Sequence, residues 1–82
     1  MGAVAQLEDL VLRLAHSLVD EPDRVEVSAT ETDSRVDLEL RVAPDDMGKI
    51  IGRQGRTIRA IRTVAKAASV KLGKRVSVEV PD

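Results

Sequence analysis

The residues best suited to chemistry are Gly52, Arg53, Gln54 and Gly55, with Lys49, Arg56 and Arg59 around them. Two glycines three positions apart, between apolar helical segments, make a tight turn without Cβ atoms, so a sugar-phosphate backbone could come close. The turn feeds a following helix, whose free N–H groups and dipole attract phosphate. Lys49, Arg53, Arg56 and Arg59 supply positive charge; Arg56 and Arg59 are one turn apart, and Arg62 and Lys66 extend the basic face. This is chemistry for holding an anion, not for breaking bonds.

The other reactive groups read more plainly. Gly48 to Gly55 has neither the spacing nor the context of an NTP-binding loop, which needs Gly-x-x-x-x-Gly-Lys-Ser/Thr between a strand and a helix. His16 falls on a polar helix face with no nucleophile or orienting partner near it in sequence. Asp45 and Asp46 are expected to cap a helix rather than bind metal, and Met47 to fill core. There are no cysteines, which excludes disulfides, thiolate catalysis and Cys-based metal sites. The sequence thus predicts no catalytic residue, no metal ligand and no cofactor.

The elements that must position the turn follow from periodicity. From Val4 to Val19, apolar Leu7, Leu10, Val11, Leu14 and Leu18 form a helical stripe opposite Asp9, Arg13 and His16. Leu12 and Val19 lie off that stripe, either widening the buried face or meeting a partner. Asp20-Glu21-Pro22-Asp23 stops the helix. Over residues 24–42, Val25, Val27 and Ala29, then Val36, Leu38, Leu40 and Val42, alternate with polar residues around a Glu31–Ser34 turn. This predicts a hairpin with Glu26, Asp37 and Glu39 on a wet face. A short helix from Asp45 to Ile51 precedes the glycine turn. A longer one, 56–72, buries Ile58, Ile61, Val64, Ala65, Ala68 and Leu72 and ends at Gly73. Val76, Val78 and Val80 mark a last strand over 75–80. The order α-β-β-α-α-β predicts an α+β fold, a three-stranded sheet with its helices on one face.

Eighty-two residues suit a single domain, 1–82, with a modest core. No basic, apolar signal segment opens the chain, and no apolar run approaches the roughly 20 residues of a membrane span. A cytoplasmic protein without membrane insertion is expected. The net charge of −1 conceals an asymmetry: residues 1–46 carry 12 acids and 4 bases, net −8, and residues 47–82 carry 9 bases and 2 acids, net +7. Local potential matters more to a polyanion than total charge.

The run from Met47 to Ile61 is similar to the KH-family signature Ile-Ile-Gly-x-x-Gly-x-x-Ile, matched at Ile50, Ile51, Gly52, Gly55 and Ile58. The commoner family loop has Lys where this chain has Arg53. In that family the loop clamps the backbone of about four nucleotides of single-stranded RNA, whose bases lie in an aliphatic groove. The complete lack of Phe, Tyr and Trp argues against RRM, cold-shock and OB modules, which stack bases on aromatic rings, and suits a KH groove. The element order resembles the bacterial, type II arrangement. The chain length and the Gly-Arg-Gln-Gly-Arg-Thr-Ile run resemble the small stand-alone KH proteins of the KhpA type.

That resemblance implies RNA-binding roles for Lys49, Ile50, Ile51, Gly52, Arg53, Gln54, Gly55, Arg56, Ile58 and Arg59. It also implies a non-enzymatic RNA chaperone or post-transcriptional regulator, pairing with itself or with a larger KhpB-like partner and linked to cell shape and envelope growth. A single domain of this kind is expected to bind weakly, in the micromolar range or poorer, so pairing would raise avidity. The rival expectation is an adaptor with a KH fold that binds protein and no RNA.

Overall fold

The structure, a computed structural model, describes residues 2–81. Helix α1 (Ala3–His16) is followed by a 3-10 turn at Pro22–Arg24, strand β1 (Glu26–Glu31) and strand β2 (Arg35–Arg41). Next come a 3-10 turn at Pro44–Asp46, helix α2 (Met47–Ile51), the glycine turn at Arg53–Gly55, helix α3 (Arg56–Leu72) and strand β3 (Arg75–Glu79). The element order is the α-β-β-α-α-β expected from the sequence.

The sheet has the order β1-β2-β3. β1 and β2 form an antiparallel hairpin, with Glu26 opposite Arg41 and Ala29 opposite Leu38. β2 and β3 run parallel, with Val36 opposite Val76 and Leu38 opposite Val78. A parallel pair needs a crossover, and here that crossover is the segment carrying α2, the glycine turn and α3. Sheet pairing therefore fixes the position of the turn relative to β3.

Period-2 alternation sorts the sheet into two faces. Val36, Leu38, Leu40, Val76 and Val78 point inward and are buried with Leu7, Val11, Ile50, Ile58 and Ile61. Each such side chain contributes about 1.5–3 kcal/mol when fully buried. On the outer face Ser77 donates a 2.6 Å hydrogen bond to Asp37, its cross-strand neighbour. Val42 and Val80 lie just beyond the strand ends but still pack against the core.

Helix α1 departs from expectation in two ways. It ends at His16 rather than Val19. The amides of Leu18 and Val19 both turn back to the Ala15 carbonyl, and Ser17 Oγ donates to the Leu14 carbonyl at 2.7 Å. Beyond that point the amides of Asp20 and Glu21 bond to Asp46 instead of to a helical carbonyl. The helix is also rotated. Its core face is Leu7, Val11 and Ala15, flanked by Val4, Leu12 and Val19, while Leu10 and Leu18 remain 40% and 37% exposed. Ala15 is small and wholly enclosed, so the helix lies close over its neighbours on that side, a preference that a stripe of leucines does not reveal. Leu12 and Val19 accordingly widen the buried face.

Candidate nucleic-acid interface

Helix α2 is anchored through Ile50, which is fully buried. Its neighbour Ile51 points the other way and is 36% exposed, and Ile58 on α3 is buried in the core. Of the three isoleucines singled out by the motif, Ile51 can meet a ligand, and Ile50 and Ile58 support the turn from beneath.

Between the helices the backbone reverses through left-handed conformations. Gly52 sits at φ 76°, ψ 174°, Gln54 at φ 58°, ψ 26°, and Gly55 at φ 73°, ψ 16°. A Cβ on Gly52 would overlap the Thr57 side chain, coming within 2.7 Å of Thr57 Cβ and 2.9 Å of its backbone nitrogen. A Cβ on Gly55 would meet nothing nearer than Ile58 Cγ2 at 4.0 Å. The turn therefore lies tight against the first turn of α3, with Gly52 as the point of contact.

The carbonyls of the turn are occupied. Gly48 O accepts from the Gly52 amide at 2.9 Å, and Gly52 O from the Gly55 amide at 3.2 Å. Arg53 O accepts from the Arg56 amide. Arg59 takes the remaining two, Nη2 donating to Gln54 O at 2.8 Å and Nε to Gly55 O at 3.3 Å. Arg53 and Gln54 themselves are exposed. Satisfied carbonyls and exposed residues at the start of α3 suit an anion.

The basic side chains divide into three groups. Arg53 and Arg56 are exposed and form no ion pair among the described residues. Arg59 is bound to the turn itself. Lys49 lies toward the acidic corner, its Nζ 2.9 Å from Asp20 and 3.4 Å from Asp46. Its ammonium is held above its ordinary value chiefly by the hydrogen bond to Asp20. Lys49 is consequently committed to carboxylates, a feature that charge and proximity in sequence do not reveal.

Asp46 likewise does something other than cap its helix. It makes no capping hydrogen bond; its Oδ1 accepts from the Asp20 amide at 3.1 Å and its Oδ2 from the Glu21 amide at 3.0 Å. The carboxylate is 1% exposed, so it bonds to the amides that α1 leaves behind rather than to water. The Asp20 amide does most to hold the Asp46 carboxyl below its ordinary value; burial opposes this, and the Glu21 amide and Lys49 lower it further.

Below the turn, α3 and the free edge of β3 enclose a groove of about 230 Å³ lined by Arg62, Lys66, Val76, Ser77, Val78 and Glu79. Arg62 Nε donates across it to the Val78 carbonyl at 3.1 Å. The floor is aliphatic, and one wall is basic. The sequence pointed to Arg62 and Lys66 as part of a basic face but not to the β3 wall. That wall depends on β3 being an edge strand, a property of sheet order that no local pattern carries. Among the described residues, no group of three or more His, Asp or Glu side chains is placed to hold a metal ion.

Known proteins resemble this chain over most of its length. The family model described as KhpA/KhpB, KH domain matches residues 8–80. The RNA-binding protein KhpA of Clostridium acetobutylicum is 55% identical over 74 residues, covering 90% of this chain and 99% of that protein. The Bacillus subtilis protein of the same name is 47% identical over 76 residues, covering 93% and 94%. Among solved structures, an Aquifex aeolicus Era variant bound to GDP.AlF4- superposes with a TM-score of 0.66 at 22% identity. That match covers 92% of this chain and 29% of the Era chain, and it speaks to the fold alone.

Proposed function

This chain belongs to the KhpA/KhpB family of KH domains, and we propose that it is a non-catalytic protein that binds single-stranded RNA. The observation that carries this reading is the turn itself. Exposed Arg53, Gln54 and Arg56 stand at the start of α3, whose basic face continues through Arg62 and Lys66 to the groove beside β3. Phosphates lie on the turn, with exposed Ile51 beside it for aliphatic contact, and bases reach the groove beside β3. With no aromatic platform, each base contributes less than the about 1–3 kcal/mol of a stacked one. Affinity is then weak, strongly salt-dependent and poor in sequence preference. This is the behaviour of an RNA chaperone or post-transcriptional regulator working in the cytoplasm, and the link to cell shape and envelope growth belongs to the same reading.

Weak single sites gain from pairing, and the apolar residues left outside the core suit it. A second groove, about 180 Å³, runs between α1 and α3 and is lined by Leu14, Leu18, Ala60, Ile61 and Val64 among others. In the proposed function this seam receives a second copy of the chain or a larger KhpB-like relative.

The test is a titration of labelled single-stranded RNA at several salt concentrations, comparing wild type with a folded variant carrying Arg53→Asp and Gln54→Asp. Wild type should show a log–log salt slope of about −0.7 per phosphate contacted, and the variant should lose at least about tenfold in affinity. Equal binding by the two would remove the clamp assignment. No binding by either would favour the adaptor reading, in which the basic face meets an acidic protein surface.

A further inference from the structure

Arg59 has the type and position of a phosphate ligand, yet its guanidinium is already engaged. Nη2 donates to Gln54 O at 2.8 Å and Nε to Gly55 O at 3.3 Å, both on the turn that precedes its own helix. Gln54 is the one non-glycine residue with positive φ among the described residues. A residue with a Cβ pays about 1–2 kcal/mol for that conformation, so something must hold it there. Among the described residues no other side chain bonds to the turn's carbonyls. Arg59 thus ties both carbonyls to α3, while Arg53 and Gln54 themselves are exposed.

We propose that Arg59 is a positioning residue, which holds Gln54 in its left-handed conformation and thereby presents the donor face of the turn to phosphate. The inference rests on the RNA-binding reading for its consequence, but the positioning itself exists in the free protein. Lysine keeps the charge but cannot serve two carbonyls with a planar fork. A phosphate ligand would tolerate that exchange, and a positioning residue would not.

Two measurements separate the cases, made on Arg59→Lys, Arg59→Gln and, for comparison, Arg56→Gln, each with the fold checked by circular dichroism. In the free protein, amide exchange at Gly55 and Arg56 should quicken at least about threefold in both Arg59 variants and stay unchanged in Arg56→Gln, because only the former free the turn to open locally. With RNA, Arg59→Lys should lose about fivefold in affinity with its salt slope unchanged, whereas Arg56→Gln should flatten the slope by about 0.7. Asparagine tolerates left-handed backbone better than glutamine, so Arg59→Lys should cost less affinity in a Gln54→Asn background. Unchanged exchange in the Arg59 variants overturns the proposal whatever RNA does. So does wild-type affinity in Arg59→Lys together with a flattened slope in Arg59→Gln. If wild type binds no RNA, the RNA-binding reading fails, and the exchange result alone decides whether Arg59 positions the turn.

Discussion

The two glycines of the turn are equivalent as letters and unequal as atoms. Gly52 holds a conformation open only to glycine and has Thr57 where a Cβ would go, whereas Gly55 has free space. Replacing Gly52 with alanine combines backbone strain with a steric overlap, each about 1–3 kcal/mol. A domain of this size holds roughly 4–12 kcal/mol in total. Gly52→Ala should therefore lower the urea midpoint sharply and abolish RNA binding. Gly55→Asn, at a left-handed site with room for a side chain, should cost about 1 kcal/mol and leave binding within about threefold. Urea denaturation and one RNA titration of the pair check this; equal losses would mean that the contact with Thr57 is not what constrains the turn. The sequence marked the turn because glycines, isoleucines and arginines at that spacing have few other uses. It could not separate Arg53 and Arg56, which form no ion pair among the described residues, from Lys49, held by Asp20 and Asp46, because Asp20 is 29 residues away and Asp46, three residues away, is placed by the corner it shares with Asp20.

At the scale of elements, most of the fold was legible because periodicity is local. Strands with period 2, a 17-residue amphipathic helix and a glycine stop all follow from neighbouring residues. The corner after α1 was not, since its Asp20 and Glu21 amides are held by Asp46 from a different part of the chain. This one carboxylate joins the corner after α1 to the start of α2 and so sets the approach of the turn. Its folded pKa is depressed. The stabilisation it gives is therefore complete above the ordinary carboxylate value of 3.8 and is lost as pH falls through the lower folded value. Asp46→Asn keeps the shape but offers one acceptor oxygen to two amides. It should lower the Tm at pH 7 by on the order of 10 °C. It should also flatten the dependence of Tm on pH below about 4. Thermal melts from pH 7 to pH 2.5 test both; a wild type and variant whose melting curves run parallel across that range would show that Asp46 is not the titrating contact.

At the scale of the molecule, three surfaces differ in kind. The outer sheet face is polar and cross-linked by pairs such as Asp37 with Arg35 and Ser77. The basic groove is open to polyanions. The α1–α3 seam is apolar, with Leu10, Leu18 and Val64 each between 37% and 40% exposed. The hydrophobic pattern of α1 had placed Leu10 and Leu18 inside, so the seam became visible only once the helix was seen rotated about Ala15. If pairing uses the seam, a charge at its centre should prevent it without unfolding the domain, because Val64 is already partly in water. Val64→Glu should then sediment as a monomer at concentrations where wild type is dimeric, while Ser28→Glu on the outer sheet face should sediment like wild type. Affinity for a short RNA that spans one clamp should be equal in all three proteins. For an RNA long enough to reach two clamps, Val64→Glu should lose on the order of 10²-fold, the share that effective concentration supplies. A wild type that stays monomeric at high concentration, or a Val64→Glu protein that still dimerises, would move pairing away from the seam and leave long-RNA binding to independent single sites.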